Sequence, residues 1–318
     1  MLDILTITGP IYAVILIGFV TTRLGVFSKA EMGVFGKFVV KLALPALIFN
    51  ALAQRPIRDI LNGSYLLAYL AGSLTVLGLG YLWCRRGAGL SPTTSTVYVM
   101  GMSCSNSGFV GYPILLLMLA PVAGVALALN MLVENVVMIP LLLTLAERGH
   151  AGAGPWHRQF ALSLARLVKN PLIIGLLAGL LVSVLDWTLP QPVARTVTMF
   201  AVASGALSLF VIGGTLVGLP MQGMGRRVLP IALGKLIGHP AAVWLAILAL
   251  PVLGLPVLDP SLRMAAVLLA AMPMMGIYPI LAQAYEKDSF SSAALLITTV
   301  ASFFTLSALL WLLQHGGL

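Results

Sequence analysis

The chain has 318 residues, of which 60% are hydrophobic and only 8% charged, with a net charge of +9 and a mean hydropathy of +1.05. A soluble domain carries roughly a quarter of its residues charged, so this chain cannot cover itself with polar surface and lipid must be its main solvent. The basic excess is spread over short loops with no basic stripe or interleaved aromatics, which excludes nucleic acid as a partner. Cys84 and Cys104 lie in apolar surroundings without CxxC spacing, which excludes a disulfide framework and a metal site.

A membrane-crossing helix needs about 20 apolar residues. Runs of that length, bounded by charge, Gly and Pro, predict an all-α integral membrane protein with ten spans: 4–22, 36–54, 64–84, 93–119, 122–146, 167–186, 196–219, 229–250, 262–285 and 291–314. The first run follows Asp3 rather than a basic segment and lacks a small-residue cleavage site, so it is expected to be a retained helix, not a signal peptide. Charged loops such as "QRPIRD" and "CRRGAG" punctuate the rest, whereas the Ala120–Pro121 boundary carries no charge.

Loop charges set the expected orientation. One side holds Arg23, Lys29, Arg85, Arg86, Arg148, Arg158, Arg226, Arg227 and Lys287; the other holds Arg55, Arg58, Arg195 and Arg263. Basic residues prefer the cytoplasmic side, so both termini are expected to face outward.

The long polar loop at 147–166 divides the chain into repeats at 1–146 and 167–318. Five spans per half is an odd number, so the halves would be inverted. Two sequence echoes agree. Gly9-Pro10 with Gly18 in span one matches Asn170-Pro171 with Gly179 in span six, and "YPIL" at Tyr112–Leu115 in span four returns at Tyr278–Leu281 in span nine. Paired interruptions in inverted halves point to a transporter's binding site.

Pro113 and Pro279 each remove a backbone hydrogen bond deep in an apolar run. They are flanked by Gly108 and Gly111 in one copy, and by Pro273 and Gly276 in the other. Unwound backbone is tolerated at that depth only against protein or a wet cavity. "SCSNSG" supplies Ser103, Ser105, Asn106 and Ser107 around the first break. Pro113 and Pro279 are expected to open second half-helices whose N-termini attract an anion. The plain alternative is a pair of packing kinks; two matched breaks, one rich in Ser and Asn, favour a site. Tyr112 and Tyr278 either line it or pack.

Glu134 lies about twelve residues into span five, roughly 18 Å along a helix and near mid-bilayer. A carboxyl group there faces the interior or finds a partner. It is a candidate proton or cation coupling site with Asn135 beside it, against a structural hydrogen bond to Asn135, Asn130 or a serine. His239 in span eight is a weaker candidate of the same kind. Lys235, one turn earlier, could balance an organic anion or pair with Glu134; the preferred reading is that it snorkels to the cytoplasmic interface. Met272, Met274 and Met275 read as adaptable packing.

The stretches "KLALPALIFNALA", "SNSGFVGYPIL" and "AMPMMGIYPILAQAYEKD" resemble the auxin efflux carrier family, which includes plant PIN carriers and bacterial malate and malonate permeases. The match runs through Asn106, Gly111 and Pro113 in span four, and Pro273, Gly276, Pro279 and Tyr285 in span nine. The resemblance implies an inverted-repeat fold related to sodium/proton antiporters and bile-acid symporters. It implies a scaffold domain of helices one, two, six and seven, usually dimerising, and a transport domain of the rest. It further implies a small organic anion, a carboxylate such as malate, malonate or an auxin-like acid, held where spans four and nine cross. By that analogy Asn106 and the half-helix ends hold the substrate, with Pro45 to Asn50 of span two facing it, and the two domains move by an elevator or rocking motion. Span nine has no Asn beside its break.

The substrate-site residues expected are therefore Asn106, Ser105, Ser107, Gly108, Pro113, Gly276, Tyr278, Pro279 and Asn50; those for coupling are Glu134, Asn135 and His239. Neither HExxH nor GxSxG is present, so no enzyme and no cofactor are expected. A channel usually assembles identical pore segments around an axis, unlike a chain with its own pseudo-symmetry. Proton coupling is the main expectation, and a sodium-coupled symporter of the bile-acid type is the alternative.

Overall fold

The structure is a computed structural model that describes residues 2–147, 161, 165, 169–219 and 225–315. In chain order its helices are α1 (Leu2–Arg23), α2 (Lys29–Ala53), α3 (Gly63–Gly87), α4 (Pro92–Ser103), α5 (Ser107–Met118), α6 (Ala120–Glu147), α7 (Pro171–Val184), α8 (Gln191–Thr215), α9 (Arg227–Ala249), α10 (Pro260–Ala271), α11 (Tyr278–Gln283) and α12 (Asp288–His315). Among the described residues there is no strand. Six helices, α2, α3, α6, α8, α9 and most of α12, are long and apolar enough to cross a membrane, and the chain is an integral membrane protein. The loop expected at 147–166 lies outside the described residues, apart from Glu147, Ala161 and Ala165.

Helix starts follow a repeated chemistry. Ser91, Asn170 and Asp259 each cap a helix through a side-chain oxygen, and each is followed by a proline at the first helical position. The cap satisfies a free N–H, and proline has none to satisfy there. At the start of α2, Ser28 and Glu31 form a reciprocal capping box.

Prolines inside the helices are absorbed differently. Wide π turns span Val39–Ala43, Ser107–Gly111, Val133–Met138 and Gly234–Gly238, and each ends two residues before a proline: Pro45, Pro113, Pro140 and Pro240. A proline ring clashes with the carbonyl one turn back and offers it no N–H; widening the preceding turn relieves the clash without ending the helix. This corrects one expectation. The non-helical break of span four is Cys104–Asn106, and Pro113 lies within a helix already under way from Ser107. In span nine the expectation holds better: residues 272–277 are non-helical and Pro279 is the second residue of α11.

The chain divides into two compact units. The first comprises residues 1–63, 107–131 and 168–218, with α1 packed on α8, and α2 on α7 and α8. Small residues bring these backbones together. A Cβ on Gly18 of α1 would collide with the Phe210 carbonyl of α8, and one on Gly179 of α7 would lie 3.0 Å from the Phe49 carbonyl oxygen of α2. The second unit comprises residues 64–106, 132–167 and 219–318. There α4 packs on the second part of α6, α9 on α10, and α11 on α12. Gly72 lets α3 approach the backbone of Val243 in α9.

Candidate functional site

The second unit brings the two broken spans into contact. The Asn106 N–H donates to the Pro273 carbonyl at 2.8 Å, and Ser105 forms an antiparallel bridge with Met274. Each extended segment thus supplies partners for backbone groups that no helix satisfies, which is what unwound chain at membrane depth requires. Ser105 and Asn106 are buried at 2% and 4% exposure.

Beneath this crossing lies a buried polar cluster. The Ser105 N–H donates to Glu134 Oε1 at 2.7 Å, and the Tyr69 hydroxyl donates to the same oxygen at 3.4 Å. Lys235 Nζ donates to Ser105 Oγ at 2.7 Å and to the Ala270 carbonyl at 2.7 Å, and lies 2.8 Å from His239 Nδ1. His239 Nε2 is 2.9 Å from Ser73 Oγ, and Tyr69 packs edge-on to its ring. An ammonium has three N–H donors, and Lys235 has a partner for each. Glu134 and Lys235 both sit on π turns, where the shifted register turns side chains out of the regular α spacing.

One sequence expectation changes here and another narrows. Lys235 does not snorkel: it is wholly buried, because its stem runs inward to acceptors on three elements. Of the partners weighed for Glu134, a serine is the one found, through the Ser105 backbone N–H, with Tyr69 beside it and neither asparagine. Asn135 shares the π turn of Glu134 and is half-buried. Gly276 lies in the turn before α11, where the Tyr278 N–H donates to Met275. The Tyr278 hydroxyl donates to the Val97 carbonyl at 3.0 Å and the side chain is fully buried, so of the two readings it packs. The buried methionines Met272, Met274 and Met275 surround the break.

The first unit holds the remaining residues. The Ser107 hydroxyl, at the start of α5, donates to Asn130 Oδ1 at 2.7 Å. Asn130 is wholly buried, and its Nδ2 has no hydrogen-bond partner among the described residues. An N–H donor therefore stands beside the positive end of a helix. Gly108 allows this turn to approach α2, since a Cβ there would lie 3.0 Å from Leu44 Cδ1. Asn50 accepts from Gln54 Nε2 at 2.6 Å and, with Tyr112, lines a cavity of 530 Å³.

Sequence reasoning missed Tyr69 and Ser73, weighed Asn130 only as a partner for Glu134, and preferred the wrong reading of Lys235. A signal existed for three of them. The 166-residue spacing of the two "YPIL" copies also carries Tyr69 to Lys235 and Ser73 to His239, and the last two meet directly.

The sequence matches the family described as "Membrane transport protein" over residues 4–155 and 156–312. It is 29% identical to a Rhizobium meliloti (strain 1021) protein named "Putative malonate transporter", over all of this chain and 98% of that one. It is 27% identical to an "Uncharacterized transporter" of Methanothermobacter thermautotrophicus (strain Delta H), over 33% of this chain and 34% of that one. With both halves matched, the chain belongs to the membrane transport protein family, that of the auxin efflux carriers.

Proposed function

We propose that this transporter is a secondary active carrier of a small organic anion, malonate, malate or an auxin-like acid, working by alternating access through an elevator or rocking motion. The observation that carries the reading is the contact of two interrupted spans, Asn106 N–H to Pro273 carbonyl. It concentrates polar backbone and Ser105 at a depth where neither is useful for packing alone. Asn106 and Ser105 of the second unit are the proposed ligands of the anion; Ser107, Gly108 and Asn50, which the sequence also suggested, lie in the first unit. The remaining candidates, Pro113, Gly276, Tyr278 and Pro279, shape the two breaks.

Paired geometry supports ten crossings arranged as two inverted repeats, at 1–146 and 167–318. The close contact of Gly18 with Phe210 and that of Gly179 with Phe49 exchange under an offset of 161 residues, as reciprocal contacts between duplicated halves must. The Ser73–His239 bond joins two positions 166 apart, as expected at a local two-fold axis. The family match also divides at 155 and 156, within the stretch 147–166 expected from the sequence to separate the halves. The proposed scaffold is helices one, two, six and seven, the transport domain is the rest, and a homodimer is the expected assembly. Both termini face the periplasm of a bacterial inner membrane.

Coupling is assigned to Glu134, supported by Asn135 and His239. Lys235 fills the polar space beside the contact, bonded to Ser105, Ala270 and His239. A sodium ion would compete with the Lys235 amine for the same oxygens, which favours a proton over sodium. Uptake of malonate into proteoliposomes under separately imposed proton and sodium gradients tests this. A proton gradient should drive accumulation in the native protein and fail to do so in Glu134→Gln. Accumulation driven by sodium alone, or unchanged pH dependence in the variant, would reject it.

A further inference from the structure

The cavity of 530 Å³ in the first unit carries an arrangement that the central site does not use. Arg55 lines it, together with Asn50, Gln54, Tyr112 and Thr198, and no carboxylate does. Arg55 is half-buried at the C-terminal end of α2. One guanidinium nitrogen, Nη2, donates to the Pro121 carbonyl, and the Arg55 carbonyl accepts from the Ser183 hydroxyl. These two bonds fix the side chain and its backbone while leaving most of the five guanidinium N–H groups for another acceptor. No ion pair engages Arg55 among the described residues. Gln54 spends an amide N–H on Asn50 Oδ1, which leaves the Asn50 amide nitrogen as a donor to the cavity.

We infer that this cavity is a second anion subsite, in which the Arg55 guanidinium and the Asn50 amide bind a carboxylate of the transported organic acid. An arginine fixed in place, with no ion pair among the described residues, in a recess walled by Leu47, Ala51 and Leu116 focuses field lines and raises the local concentration of anions. Its planar fork matches a carboxylate. The inference rests on the organic-anion reading above and adds a residue, Arg55, that this reading does not require.

Binding of radiolabelled malonate, with malate and indole-3-acetate in parallel, to the full chain in lipid nanodiscs tests it. Arg55→Gln should raise the malonate dissociation constant by about tenfold and flatten its dependence on salt. Arg55→Lys should recover part of the affinity. Thr198→Glu leaves the Arg55–Pro121 bond intact and sets a competing carboxylate in the same cavity, so it should weaken binding as well. Unfolding temperatures without anion report whether each variant is folded. If Arg55→Gln and Thr198→Glu both bind malonate within about twofold of the native protein while Asn106→Ala loses it, the subsite is wrong and the central site stands. If Asn106→Ala binds normally and Arg55→Gln does not, the subsite stands and the central reading fails. Absence of binding for all three anions overturns both.

Discussion

Glu134 and Lys235 are joined through one serine: the acid takes the Ser105 N–H and the base gives to its hydroxyl. Removing Lys235 leaves its buried acceptors without their donor, at a cost of about 1–3 kcal/mol. Lys235→Met should therefore lower stability by that order in detergent, read by thermal or denaturant unfolding. Combining it with Glu134→Gln should cost less than the sum of the two, a coupling that a double-mutant cycle measures. Asn130 makes a separate prediction. If its free N–H faces the anion, Asn130→Asp replaces a donor with a like charge and should weaken malonate binding by about tenfold or more; because Asn130 is wholly buried, the unliganded unfolding temperature should fall as well. Glu134 was legible in the sequence because an acid inside "LNMLVENVVMIP" has no innocuous place in lipid. Lys235 was not, because a long stem can carry its charge either to the interface or inward, and only its acceptors on other elements decide. Asn130 was ambiguous for the opposite reason: a lone amide in an apolar run commonly finds a partner.

Among the elements, the helices were legible and their interruptions only half so. Apolar length and the Ser-Pro, Asn-Pro and Asp-Pro starts mark where helices lie, since these depend on local chemistry. Where a helix breaks depends on what lies opposite. Pro113 looks like a breaker, yet the wide turn at Ser107–Gly111 accommodates it, and the chain unwinds instead at Cys104–Asn106, where Pro273 and Met274 offer partners. Glycines give a cleaner test. Gly18→Ala would press a methyl into the Phe210 carbonyl, and Gly179→Ala would crowd Phe49. Each should destabilise by about 1–3 kcal/mol, the usual cost of overpacking. Gly78→Ala, with open space around its position, should be neutral or mildly stabilising through helix propensity. Unfolding temperatures of the three variants check this, and equal tolerance at all three positions would contradict the packing described.

At the scale of the whole molecule, the proposed orientation predicts which loops face which compartment. In a background without Cys84 and Cys104, Asp259→Cys should react with a membrane-impermeant thiol reagent on intact spheroplasts. Lys287→Cys should react only after permeabilisation, and the reverse pattern would invert the topology. The resemblance already visible in three short stretches extends to a family match over both halves. The substrate was not visible, since no motif names it and the proposed recognition by backbone ends and amides would leave almost no mark in composition.

The offset of 161 residues that exchanges Gly18 with Gly179 carries Arg55 to Leu216. One vestibule would thus bear a guanidinium where its inverted counterpart bears a hydrocarbon. A carrier cannot alter the final ratio of its cargo across the bilayer, which the driving gradients fix. It can, however, reach half-saturation at different concentrations on its two faces, and the Arg55 face should load at the lower one. Such a protein would run as a kinetic rectifier, scavenging scarce anions from one side while resisting back-leak from the other.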